Sequence, residues 1–162
     1  MHRATCAARV GRWPEAQAAA AVTLTYDDRH RRRICLETDA GEAFLLDLPR
    51  ALSLDDGDGL QLDDGRWIAV RAAAESLIEV TGEPALLPRL AWHLGNRHLP
   101  ARMEPHRILI RRDHVIAEML SNLGATLRFI EAPFMPERGA YDDGHGHARG
   151  QDHAVAHHHD HE

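Results

Sequence analysis

The stretch RILIRRDHVIAEMLSNLGATLRFIEA, residues 107–132, decides the fold of the second half of this chain. Its two ends, RILIR (107–111) and TLRFIEA (126–132), are short apolar runs of the kind that forms strands. Between them, apolar residues recur at helical spacing and form one stripe: Val115, Ile116, Met119, Leu120 and Leu123. Asp113 before this stripe is a preferred N-cap, and Gly124 after it is a preferred helix terminator. The stretch therefore predicts a strand, an amphipathic helix and a second strand.

The same pattern extends upstream to Glu75. ESLIEVTG (75–82) is typical of a strand, and a helical spacing follows it at Leu86, Leu87, Leu90, Ala91 and Leu94. Pro88 fits a helix only in its first turn. We expect Gly95-Asn96 to end this helix, because both residues accept left-handed backbone angles. With ARME (101–104) as a further strand, the order over residues 75–136 becomes β-α-β-β-α-β, the ferredoxin-like split βαβ fold.

Residues 1–74 predict a small antiparallel β domain. Short segments that often alternate between apolar and polar residues are separated by turn signals such as Ala40-Gly41, Asp56-Gly57 and Asp64-Gly65. The arginine-rich DRHRRR (28–33) lies at a predicted hairpin turn, so we interpret it as a solvated turn rather than a nucleic-acid patch. The fold class of the whole chain is therefore α+β, with an N-terminal β domain in front of the βαββαβ domain.

Residues 137–162 have a different character and are predicted to form a disordered, metal-binding tail. They carry seven of the thirteen histidines: His145, His147, His153, His157, His158, His159 and His161. Apart from Tyr141 and Val155 the segment has little to bury, so it cannot offset its ordering entropy. Aspartate, glycine and alanine interrupt the histidines, which indicates a native tail rather than a purification tag.

The composition excludes several functions. The formal net charge is −6 with histidine neutral, which argues against a nucleic-acid partner. All 19 basic residues are arginine, so the chain has no ammonium for Schiff-base chemistry and no P-loop lysine. The two cysteines, Cys6 and Cys35, form no C-x-x-C pair. Because no run approaches the ~18 apolar residues of a membrane span and no signal peptide is apparent, we expect a cytoplasmic protein without a membrane partner.

Three motifs together resemble the urease accessory nickel metallochaperones, the UreE family. They are HLGNRH (93–98), DHVIAEMLSNLGA (113–125) and EAPFMPERGAYDDGHGH (131–147). The resemblance implies a homodimer formed through the second domains, with Ni(II) held at the dimer axis by the last histidine of GNRH, which is His98 here. It also implies that the nickel passes to a complex of apo-urease that contains an accessory GTPase. Some relatives place a His-x-His pair before the second helix; here those positions are Arg112 and His114, so half of the pair is missing.

The chemistry of imidazole agrees with a carrier. A neutral imidazole nitrogen suits Ni(II), and it can also take Zn(II) or Cu(II), so the residues do not choose the metal. One histidine is a weak site, but beside a two-fold axis it meets its own copy. The tail histidines are then auxiliary ligands, and His114 is a further candidate ligand.

Other interpretations of the histidines stay open. From spacing alone His98 can be a surface-loop residue, while His93 is expected to serve packing or an interface; His106, His30 and His2 are interpreted as ordinary surface residues. A buffering or storage protein, whose tail binds nickel or zinc, is the alternative function. A metal-dependent hydrolase would need three ligands on rigid elements and a nearby base, and the body shows no H-E-x-x-H or similar cluster, so we expect no enzyme.

Overall fold

The computed structural model describes residues 1–139 of the 162 and divides them between two sheets. The first domain holds one six-stranded sheet with the strand order β2-β6-β5-β1-β4-β3. Its strands are β1 His2–Ala8, β2 Ala18–Leu24, β3 Arg33–Glu37, β4 Ala43–Asp47, β5 Gly59–Leu62 and β6 Trp67–Ala72. Their inward side chains form one core, which includes Val22, Phe44, Leu46, Leu60 and Val70.

The prediction of an antiparallel first domain is wrong, because the sheet is mixed. β1 pairs with β4 in parallel, and β2 pairs with β6 in parallel, while the remaining pairs are antiparallel. Both parallel pairs join strands that are distant in sequence, so no turn signal between neighbours could reveal them. β1 itself, HRATCAA, was not predicted, since its alanines and arginine give no clear apolar alternation.

The second domain follows the order β-α-β-β-α-β. Its elements are β7 Ala74–Thr81, α1 Leu87–Asn96, β8 Ala101–Glu104, β9 Arg107–Arg111, α2 His114–Asn122 and β10 Thr126–Pro133. The four strands are ordered β10-β7-β9-β8, and every pair is antiparallel. Both helices contribute to a core with the strands, in which Leu94 of α1, Ile110 of β9 and Leu120 of α2 are buried. An α+β chain of two domains is thereby confirmed.

Two local signals of this half are also confirmed. The Asp113 side chain accepts a hydrogen bond from the Ile116 amide at 3.0 Å and so caps α2. Pro88 lies in the first turn of α1, where its missing N–H costs no helical hydrogen bond. Neither α1 nor α2 is long and apolar enough to cross a membrane, and the residues described contain no other α-helix.

The two domains meet at the turn after β2. This turn is a short 3₁₀ segment, Asp28–His30, and not the predicted hairpin, since β2 and β3 lie at opposite edges of the sheet. Arg29 in this segment is only 1% exposed, so the interpretation of DRHRRR as a wholly solvated turn is wrong for that residue. The Tyr26 ring contacts Phe134 edge-on, and the Tyr26 amide donates to the Glu75 carboxylate at 2.8 Å.

Candidate metal site

His98 ends α1 in an unusual backbone conformation. Its amide donates to Gly95 O at 2.9 Å, and the Leu99 amide donates to Leu94 O at 3.3 Å. These two bonds define a Schellman motif, in which His98 takes the left-handed position that glycine usually occupies. Its φ is +54°, and no other residue of the described chain except glycine has a positive φ. A left-handed L-residue costs roughly 1–2 kcal/mol, so the chain keeps a histidine where the backbone favours glycine.

The predicted stop at Gly95-Asn96 is therefore displaced. Both residues lie inside α1, which runs to Asn96, and the left-handed turn falls on His98 instead. The apolar contact that accompanies such a motif explains the shift, because Leu94 is buried and Leu99 packs against the same core. The helix thus continues until these two leucines can reach the core together.

The His98 side chain is exposed at one end of the second sheet. A cavity of about 360 Å³ opens at the same end and is lined by residues next to His98 and His114 in the chain, among them Leu99, Pro100 and Asp113. Arg111, Arg112 and Glu75 give this cavity a charged rim, and Ile110 and Ile116 give it an apolar floor. The fold therefore brings the segments of His98 and His114 to one cavity.

The other histidines of the body occupy separate positions. His114 is the exposed first residue of α2. Arg112, which occupies the other position of the His-x-His pair, contacts the Phe129 ring. His93 is half-buried on α1 with its ring 5.1 Å from that of Trp92. His106 is exposed in the turn between β8 and β9. His2, interpreted from the sequence as an ordinary surface residue, contacts Asp63, since its Nδ1 lies 2.9 Å from Asp63 Oδ1.

Within residues 1–139, no group of three or more His, Cys, Asp or Glu side chains is arranged to hold a metal ion. The seven tail histidines predicted as auxiliary ligands, and the predicted disorder of the tail, lie outside the described residues. A site at His98 with three or more protein ligands would therefore need residues from beyond 139 or from a second copy of the chain.

The root of the tail, Glu137, is hydrogen-bonded to a residue that lies only a few positions after His98 in the chain. Sequence reasoning missed this contact. The Glu137 amide donates to Ala101 O at 2.9 Å, and the Met103 amide donates to Glu137 Oε1 at 3.3 Å. Ala101 begins β8 and follows His98 by three residues. The chain thus leaves the second domain along the edge of β8, the strand that begins three residues after the candidate ligand.

The outer face of the second sheet carries an ion-pair network. Glu79 of β7 receives Arg107 of β9 at 2.6 Å and Arg128 of β10 at 2.9 Å, and Glu104 of β8 receives Arg107 at 2.5 Å. The hydrogen bond from Arg107, with the charge of Arg128, holds the pKa of Glu79 below its usual range. Charge on this face is paired across all four strands, so it is a structural feature rather than an open ligand site.

Comparison with known proteins identifies the family. The family model for the C-terminal domain of the UreE urease accessory protein matches residues 75–161, and the model for its N-terminal domain matches residues 3–73. The chain belongs to the UreE family of urease accessory proteins. The C-terminal match reaches through the histidine-rich tail as well as the second domain.

Several UreE relatives are similar over most of their length. The urease accessory protein UreE of Ruegeria pomeroyi is 56% identical over 142 residues, which cover 86% of this chain and 93% of that protein. That of Chelativorans sp. is 54% identical over 145 residues, or 85% of this chain and 90% of that protein. That of Cereibacter sphaeroides is 52% identical over 146 residues, or 90% of this chain and 77% of that protein.

Proposed function

We propose that this chain is a nickel metallochaperone of urease maturation. It binds Ni(II) as cargo and delivers it to apo-urease through a complex that contains the urease accessory GTPase. Membership of the UreE family supports the role in maturation, since the relatives are named urease accessory proteins. The proposal involves no catalysis by the chain itself; its residues hold and release an ion.

The observation that carries the proposal is the conformation of His98. A histidine at φ +54° is retained at a position where glycine would relieve strain. Backbone strain that persists at an exposed residue points to function, because stability alone would select against it. The left-handed turn also sets the direction of the His98 Cα–Cβ bond relative to α1. We therefore assign the metal-ligand role to His98.

The ligand count supports a homodimer as part of the proposal. One imidazole does not hold a transition metal firmly, and a two-fold axis beside His98 would supply the partner's copy of the same residue. The surface of α1 suits such an interface, because Trp92 is 64% exposed and lies six residues before His98. Aromatic residues of this kind are enriched at interface centres. Half-buried His93 beside Trp92 fits the predicted packing or interface role.

The tail can supply the remaining ligands. His145 follows Glu137 by eight residues, which span at most about 26–29 Å when extended. Ala101, to which Glu137 is hydrogen-bonded, lies three residues from His98, or at most about 11 Å away along the chain. The chain between Glu137 and the first tail histidines is therefore long enough to reach His98 without any rearrangement of the body. We propose that they are auxiliary ligands, and that exposed His114 takes a peripheral ion at most.

The second domain is, we infer, of the ferredoxin-like class. Numbered within the domain, its antiparallel strands are ordered 4-1-3-2, and one helix follows the first strand and another the third. Such a split βαβ arrangement brings the C-terminus of α1 and the N-terminus of α2 to the same end of the sheet. His98 and His114 lie at those two helix ends.

A nickel or zinc buffer is the second candidate function. The observation that favours it is the tail, which holds seven of the thirteen histidines, whereas the body offers His98 alone at a specialised position. Imidazole ligands also accept Zn(II) and Cu(II), so selectivity for nickel would rest on geometry and supply. A buffer does not need His98, which separates the two functions.

Nickel titration of a His98→Ala variant tests the proposal. We expect the strong equivalent shared by two chains to disappear while weaker tail equivalents remain. His106→Ala is the matched control, because His106 is an exposed histidine of the same domain in an ordinary turn. A His98→Ala variant that binds its first equivalent as tightly as wild type would refute the chaperone site and favour the buffer.

A further inference from the structure

The two edge strands of the second sheet differ in how their outer hydrogen-bonding groups are covered. At β8, the Glu137 amide donates to Ala101 O at 2.9 Å, and the Glu137 carboxylate accepts from the Met103 amide at 3.3 Å. At β10, every main-chain hydrogen bond described within residues 1–139 runs to β7. We call the other side of β10, along Thr126–Pro133, its free edge. A free edge of this kind presents amide and carbonyl groups that can pair with a further strand.

The first sheet covers its edge strand β2 in the same way as the second sheet covers β8. The Asp39 amide donates to Ala21 O at 2.8 Å, and the Asp39 carboxylate accepts from the Thr23 amide at 2.9 Å. The fourth edge strand, β3, has only five residues and begins with Arg33, and a short, charged edge resists pairing. β10 is the longest of the four edge strands, at eight residues, and has no such cover among residues 1–139.

The charged side chains of β10 do not guard its free edge. Arg128 donates to the Glu79 carboxylate at 2.9 Å, and Glu131 accepts a hydrogen bond from Ser76. Glu79 and Ser76 both belong to β7, so both charges of β10 are bonded toward the interior of the sheet. The only proline of β10 is its last residue, Pro133, where it leaves the rest of the edge open.

The helix side of the free edge is apolar. Leu127 and Phe129 lie on this side, because they pair with Val80 and Ile78, which are in the core with the helices. Phe129 is 57% exposed, and its ring carries the Arg112 guanidinium at 4.6 Å. Alternate side chains of an added strand would lie beside Leu127 and Phe129. Apolar side chains are favoured there, since they would remove the Phe129 ring from water.

The outer side of the free edge is positively charged. Arg128 lies on this side, opposite Glu79, and its side chain is 70% exposed. The ion-pair network around it holds three arginines and two glutamates, so one positive charge is in excess: Arg102, Arg107, Arg128, Glu79 and Glu104. The intervening side chains of an added strand would lie beside Arg128. Carboxylates are favoured there, because opposite charges on neighbouring strands attract.

We propose that the free edge of β10 is a docking site for an extended segment of a partner protein, in which apolar and acidic residues alternate. The segment adds to the sheet as a further strand; main-chain hydrogen bonds hold it, and its side chains provide the selection. A second copy of this chain fits less well, because its β10 would bring Arg128 and no carboxylate to the outer side. The site does not involve His98, so it stands or fails independently of the proposed metal binding.

Binding of labelled synthetic peptides to the full chain, measured by fluorescence anisotropy, tests the proposal. The probe alternates glutamate and valine; one comparison peptide alternates lysine and valine, and another has the composition of the probe in scrambled order. We expect the probe to bind about tenfold more tightly than either, because only the probe places carboxylates beside Arg128 and valines beside Phe129. Hydrogen exchange should show slower exchange of the β10 amides when the probe is bound.

Two variants locate the contacts. Phe129→Asp should weaken binding of the probe about tenfold, because a carboxylate replaces the exposed ring on the apolar side. Its control is Val10→Asp, since Val10 is similarly exposed but lies in the first domain. Arg128→Gln should abolish the preference for glutamate over lysine, while Arg107 still holds Glu79. Arg102→Gln is its control, because Arg102 belongs to the same network but lies on β8, at the opposite edge.

Several results would overturn the inference. They are no binding of the probe, equal binding of all three peptides, undiminished binding to Phe129→Asp, and slower exchange at a site other than β10. Sedimentation covers the remaining occupant: a mass that is lower for Phe129→Asp than for wild type would make a second copy of the chain the occupant and rule out the partner segment. None of these results bears on nickel binding at His98.

Discussion

His98 ends α1 in the same backbone arrangement in which Gly124 ends α2. At α2 the Gly124 amide donates to Ser121 O and the Ala125 amide to Leu120 O, each at 3.0 Å, and the φ of Gly124 is +96°. Residues 1–139 thus contain a Schellman motif with the expected glycine and another with a histidine. Comparison with Gly124 indicates that glycine would be the residue expected at the end of α1 if stability alone determined it.

This relationship predicts that His98→Gly makes the protein more stable and removes the proposed strong metal site. Glycine relieves the left-handed strain but adds freedom to the unfolded chain, so we expect a net gain of about 0.5–1 kcal/mol in the free energy of unfolding. Urea unfolding without metal measures the gain, and nickel calorimetry measures the loss of the site.

His98→Ala is the matched control for that experiment. Alanine keeps a Cβ and therefore most of the strain, so its stability should stay near that of wild type although its metal site is also lost. Equal stability of the glycine and alanine variants would show that His98 is not strained. Gly124→Ala at the other motif should instead destabilise the protein by about 1 kcal/mol.

The exposed α1 surface predicts a dimer that depends on Trp92. Replacement of Trp92 by Asp would place a charge in the proposed interface, so we expect a monomer in solution and loss of the strong nickel equivalent. Sedimentation of the metal-free protein measures the mass. Val10→Asp is the control, since Val10 is similarly exposed, at 58%, but lies in the first domain. A Trp92→Asp variant that remains dimeric would place the interface elsewhere.

The lowered pKa of Glu79 predicts a pH-dependent contribution to stability. Since the folded pKa lies below the unfolded value of about 4.3, the contribution is fully present above that pH and is lost as the pH falls through the folded pKa. Glu79→Gln should therefore cost roughly 1 kcal/mol at pH 7, and the difference in Tm from wild type should shrink below about pH 4.

Exposed Glu118 on α2 provides the comparison for this pH series, and Glu118→Gln should follow wild type throughout. A Glu79→Gln difference that persists unchanged to pH 3 would mean that the arginines Arg107 and Arg128 are not held by the Glu79 charge. The effect would then come from packing, because Glu79 is only 8% exposed.

The second domain could be predicted from the sequence because its signals are local. The cap at Asp113, the stripe of α2 and the glycine at 124 act within a few residues of one another, and β9 has the bounds that its apolar run predicts. The strand pairing of the first domain was harder to predict, since its parallel pairs join strands far apart in the chain. The burial of Arg29 depends on Phe134, which lies more than one hundred residues later.

The candidate site, too, could be predicted from the sequence only in part. The family resemblance singled out His98, but its left-handed conformation could not be predicted, because the end of α1 is set by the packing of Leu94 and Leu99. The position of the tail root was also hidden, since nothing in PERG (136–139) indicates that Glu137 pairs with β8. Tertiary contacts decided both features, whereas chemistry and motif singled out the candidate ligand.

The most direct test of the proposed site is a nickel titration of the chain ended at Gly139, with its mass measured in solution. This chain retains every described element and both cores. We predict one strong nickel equivalent per dimer, weaker than in the full chain and absent from the same chain with His98→Ala. Loss of all strong binding by an intact dimer would contradict the account, because the tail and not His98 would then be the site.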